Sequence, residues 1–144
     1  MEILNYALIA LIASTGLILG RILAWTAKEE IKPGTKYFIL IQKALFCIIT
    51  AIIMYANRTN VHYIWTGALI IFAYLSLFKK INHLIVSAVL AFGFYLGSKT
   101  DYFLLISALT FLYGLPAGSL LKDKKKLAIN VAVFLALSIL PFLF

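Results

Sequence analysis

The sequence predicts an all-α integral membrane protein: about six short transmembrane helices in antiparallel hairpins, with the N- and C-termini outside. Three observations carry that expectation. Hydrophobic residues fill 64% of the 144 positions and charged residues only 12%, about half the charge of an ordinary soluble domain. Mean hydropathy is +1.04, more apolar surface than a core of this size can hide from water. The apolar residues run continuously instead of alternating, which argues against a barrel and leaves helices as the way to satisfy the backbone in hydrocarbon.

Taken in order, the apolar stretches are 3–25, 37–56, 61–78, 84–97, 102–121 and 127–144. A spanning helix needs about 20 residues. The first, second, fifth and sixth stretches meet that length, and the third is near the limit. The fourth is short unless it borrows 81–83 and Ser98; otherwise it is a re-entrant element and the count falls to five. The first stretch reads as a retained helix. Met1 and Glu2 supply no basic n-region, so a cleaved signal peptide is not expected. The connections 26–36, 57–60, 79–83, 98–101 and 122–126 are too short for a soluble domain, so residues 1–144 form a single polytopic membrane domain.

Charge sets the expected orientation. Of the 13 Lys and Arg residues, all but Arg58 and Lys99 fall in or beside the first, third and fifth connections. Those loops should be cytoplasmic, with the protein in the cell membrane. Deleting one internal helix would put Lys79–Lys80 and the 122–126 cluster on opposite faces, which supports six. The net charge of +8 then points to membrane lipids with anionic headgroups at the basic face, and not to nucleic acid. Trp25, Tyr37, Phe38 and Tyr74 mark the inner boundary; Tyr55, Tyr63, Trp65 and Tyr102 mark the outer one.

Small residues recur one helical turn apart: Gly16 and Gly20, Gly93 and Gly97, Gly114 and Gly118. Such pairs let backbones approach closely, within one chain or between chains, so a homo-oligomer or partner membrane subunits are expected. The segment 16–23 aligns with 114–121, which reads either as a parallel repeat of helix pairs or as a chance match of abundant residues. Pro116 removes a backbone hydrogen bond and tends to kink the fifth helix.

The ionisable residues give the candidate site. Arg21 and Lys43 each lie seven residues, about 10 Å, from a loop charge, at Lys28 and Lys36 respectively. Charged groups at that depth usually find partners. Glu29 and Glu30 lie in the intervening loop, which could fold back as a cap around a Pro33–Gly34 turn. Arg21, Glu29, Glu30 and Lys43 are therefore the expected binding residues of a cytoplasm-facing polar pocket for a phosphate or carboxylate. Simple snorkelling of the two cations is the alternative.

No metal site, cofactor or catalytic set is expected. His62 and His83 fall on opposite predicted faces, and no Cys/His cluster exists. Cys47, the single cysteine, reads as a buried thiol. Three function classes follow: a small transporter, channel or lipid-handling protein; a non-catalytic subunit or scaffold of a larger membrane complex; and, last, a membrane enzyme acting on a lipid headgroup.

Overall fold

The computed structural model describes residues 3–57, 82–121 and 123–140, with Gly67 and Ile71 as single helical positions. Among these residues every regular element is a helix. They are α1 (Ile3–Thr26), α2 (Lys28–Ala56), α3 (His83–Gly97), α4 (Phe103–Leu120) and α5 (Lys124–Ile139). Three segments are long and apolar enough to cross a membrane: Ile3–Thr26, Pro33–Ala56 and Phe103–Leu120. α3 is apolar but has only 15 residues, a length of about 22 Å at 1.5 Å per residue. The expected stretch 61–78 lies outside the described residues, as do residues 141–144 of the last stretch.

α1 shows how an apolar helix long enough to cross a membrane packs in the bundle. Its inward residues are small or aromatic: Tyr6, Ala10, Ala13, Ser14, Gly16 and Gly20, with Leu17. Its outward residues are large and apolar: Leu4, Leu8, Leu11, Ile12, Ile18 and Ile22 are all exposed. The pattern continues on α4, where Leu104 is 72% exposed while Ser107, Thr110, Gly114 and Ala117 are buried. Lipid tails are as apolar as leucine, so large side chains gain nothing by turning inward. Close backbone packing decides the interior instead.

The glycines carry that packing. A Cβ on Gly16 would meet the carbonyl oxygen of Phe111, and one on Gly20 would meet that of Leu115. In return, a Cβ on Gly118 would meet the carbonyl oxygen of Leu17, and one on Gly114 would lie 2.6 Å from the Leu17 nitrogen. The two aligned segments are thus each other's packing surface. Gly93 faces Ile53 and Gly97 faces Ile106, so all three glycine pairs serve contacts within the chain. Pro116 is buried, and α4 continues through it to Leu120.

Contacts along the helices fix their relative directions. Tyr6 stacks on Phe103, and Gly20 lies against Leu115, so α1 and α4 are parallel. Gln42 bonds Tyr113 while Tyr55 packs on Tyr102, so α2 runs against α4. His83 lies beside Gln42 and Gly93 beside Ile53, so α3 runs with α2. Ser87 bonds Asn130 and Phe94 packs on Phe134, so α5 runs with α3. α4 is the hub: it packs extensively on α1 and also on α2 and α3, while α1 and α2 touch only slightly. The expected hairpin of the first two helices is therefore opened by α4. α2 packs on α4, and α5 packs on α1.

One local expectation is corrected. Residues 26–36 do not form a loop around Pro33–Gly34. Ala27 is the single break, and α2 starts at Lys28 and runs through both residues. Proline is free of cost only in a helix's first turn, where its N–H would have no intrahelical acceptor. Pro33 is the sixth residue of α2, so it withholds the donor that the Glu29 carbonyl, four residues back, would take within the helix.

Candidate functional site

The polar side chains inside the bundle fall into two kinds. Ser14, Ser107, Thr110, Ser119 and Ser138 bond a carbonyl three or four residues back on their own helix. They need nothing else. Gln42, Tyr113, His83, Ser87 and Asn130 instead bond between helices toward the end of the bundle where the basic connections gather, as Tyr6 does at the other end.

Gln42 is the centre of the first group. It is the sole glutamine of the chain and is 1% exposed. Its Nε2 donates to the Tyr113 hydroxyl at 2.7 Å and lies 3.4 Å from His83 Nδ1. Its Oε1 is buried with no hydrogen-bond partner among the described residues. A half-turn of the amide would exchange the two roles and still leave one side unmet. An amide in hydrocarbon is costly, and an unmet half costs about 1–3 kcal/mol more.

Asn130 anchors the second group. It is 4% exposed. Its Oδ1 accepts from Ser87 Oγ at 2.9 Å, and its Nδ2 donates to the Lys126 carbonyl at 2.8 Å. Between the groups lies a cavity of about 340 Å³, lined among the described residues by Asn82, His83, Leu84, Leu121, Lys126, Ile129 and Asn130. His83 belongs to both, touching Gln42 and the cavity. Asn82 accepts from the Leu84 amide and so starts α3 at the cavity mouth. His83 sits just outside the apolar stretch 84–97, and burial lowers its pKa from the ordinary 6.5. At neutral pH it is an uncharged donor and acceptor. Two amides, a neutral imidazole and one lysine make a chamber suited to a polar or anionic group.

Among the described residues the opposite end of the bundle is packed with aromatic rings. Tyr6 is fully buried, and its hydroxyl donates to the Ser138 carbonyl at 2.9 Å. Tyr6, Phe94, Phe103 and Phe134 pack ring on ring at 5.1–5.6 Å between centroids.

No known protein family, curated protein or solved structure matches the chain.

The expected binding residues are distributed differently. Arg21 lines a separate groove with Ile22, Trp25 and Lys124. Lys43 is half-buried on α2, and Glu29 is exposed. The side chain of Glu30 lies outside the described residues. Among the described residues no group of three or more His, Cys, Asp or Glu is placed to hold a metal ion. Gln42, beside His83, and Asn130, in the lining, escape a search for charge. Their signal in the sequence is an uncharged amide inside an apolar run, which hydrocarbon tolerates poorly without a reason.

Proposed function

We propose that the chain is a six-pass membrane protein that binds a small polar or anionic group on its basic, cytoplasmic side, as a transporter or lipid-handling protein would. The polar chamber supports this reading above all. It joins the buried amide of Asn130, the exposed amide of Asn82, His83 and Lys126 at one end of a bundle whose other end is packed with rings among the described residues. A polar cavity at one end and packed rings among the described residues at the other suit alternating access better than a continuous channel.

Chain direction supports the sixth pass. α2 ends beside Tyr102, whereas α3 begins beside Gln42, at the opposite end of the same bundle. Residues 58–81 must connect those ends, and they include the apolar stretch 61–78. Six passes also leave both termini on the side away from the lysines. The scaffold reading draws less support, because its glycine faces are engaged within the chain.

The test is thermal stability in detergent with inorganic phosphate, glycerol phosphate, acetate and a short-chain lysophosphatidic acid as probes. A ligand present at about 100 times its dissociation constant stabilises by about 2.7 kcal/mol. At least one probe should raise the unfolding midpoint of the wild type and not of Asn130→Leu or Lys126→Gln. If all four leave the wild type unmoved, or move the variants equally, the chamber does not bind anions and the reading is wrong.

A further inference from the structure

We propose that the chamber takes up its anion together with one proton, and that His83 holds that proton against the Gln42 oxygen after the Gln42 amide turns over. The inference deepens the chamber reading and rests on it.

The Gln42 amide has no orientation that meets all its needs. As placed, Nε2 donates to the Tyr113 hydroxyl at 2.7 Å and lies 3.4 Å from His83 Nδ1. Its Oε1 is buried without a partner among the described residues. The hydroxyl then accepts, and no described residue takes the hydroxyl's own proton. Turned over, the amide presents Oε1 to both neighbours. Tyr113 and His83 become donors, and the two amide N–H groups go unmet. Each arrangement leaves two polar groups wanting, so a modest bias selects between them.

A proton on His83 is such a bias. A neutral imidazole can leave Nδ1 bare, as the first arrangement requires. An imidazolium carries N–H at both nitrogens and would set donor against donor. It needs the second arrangement, where Oε1 accepts a charge-assisted bond from Nδ1.

The anion is what charges the ring. Each helix packed on α3 turns polar groups toward His83. They are Gln42 of α2, Tyr113 of α4 behind it, and Lys126 and Asn130 of α5 in the cavity lining. Lys126 and Tyr113 are the titratable ones, and the described lining holds no carboxylate. Burial therefore keeps the ring neutral until an anion arrives. The anion supplies the missing opposite charge, and the Nδ1 lone pair takes a proton from water at the basic side. No other bond forms or breaks. The coupling is reciprocal, so the proton tightens the anion by the same factor.

The experiment is isothermal titration of the full chain in detergent with acetate and with sulfate, which keep their charge from about pH 8 to about pH 6. Affinity for at least one should rise about tenfold per unit fall in pH over part of that range, with close to one proton taken up per anion. Lys126→Gln should weaken binding and keep the uptake, whereas His83→Gln should abolish uptake and slope together. With nitrogen-labelled histidine in a His62→Gln background, the anion should convert His83 Nδ1 from bare to protonated in the nuclear magnetic resonance spectrum. Gln42→Met should move that conversion to lower pH. Binding of constant affinity without proton uptake would overturn the proposal and leave the chamber reading standing. Uptake that survives in His83→Gln, or an unaltered Nδ1 signal, would do the same. Binding of neither anion at any pH would remove both.

Discussion

Gln42 and His83 show how single polar residues act in an apolar bundle. His83 is held below its ordinary pKa by burial, beside Gln42 of α2 and across the cavity from the α5 residue Lys126. The unfolded chain therefore takes up a proton at higher pH than the folded chain. Stability is at its full value above pH 6.5 and falls as pH drops toward the folded pKa. Unfolding midpoints in detergent should decline as pH falls below the ordinary histidine value of 6.5. His83→Gln should remove most of that decline, and an unchanged slope would place the titrating group elsewhere. Gln42 itself was legible as an oddity in the sequence, the one glutamine within an apolar run. Its bond to Tyr113, 71 residues away, was not, because no local pattern reports which helices meet.

At the scale of the element, the α1–α4 contact outweighs any single hydrogen bond. Interhelical hydrogen bonds in membranes average about 0.6 kcal/mol. Forcing a side chain into a packed contact costs about 1–3 kcal/mol. At an open helical site alanine would gain up to about 1 kcal/mol over glycine, but here backbone atoms of the facing helix occupy the space of each Cβ. Gly16→Val and Gly118→Val should each lower unfolding free energy in mixed micelles by about 2 kcal/mol. The double variant should lose less than the sum, because both changes separate the same two helices. Full additivity would mean that the stripes do not face one another. The glycine spacing was readable from the sequence, and so was its capacity for close packing. The pairing of 16–20 with 114–118 was not, since the same stripe serves a partner in the chain or in another molecule equally well.

At the scale of the whole molecule, the helix directions gather Arg21, His83, Lys124 and Lys126 at one end and Tyr55, Lys99 and Tyr102 at the other. That division matches the alternation of basic connections along the chain. Single cysteines in a Cys47→Ala background test it. Cysteines placed at Asn57 and Asp101 should react with an impermeant thiol reagent from outside intact cells, and one placed at Lys125 only after permeabilisation. Reaction of all three from the same side would break the six-pass order.

Composition and the continuity of the apolar runs determined the helical class of this chain and the three helices long and apolar enough to cross a membrane. Those features follow from transfer free energy, which each residue brings with it. Which helices touch was decided only in three dimensions. α4 lies between α1 and α2, its glycine face against that of α1. Arg21 lines a groove with Lys124 of α5, and the polar chamber lies elsewhere, around His83 and Asn130. Shape complementarity belongs to pairs of surfaces, and the chain carries no local mark of the pair that will form.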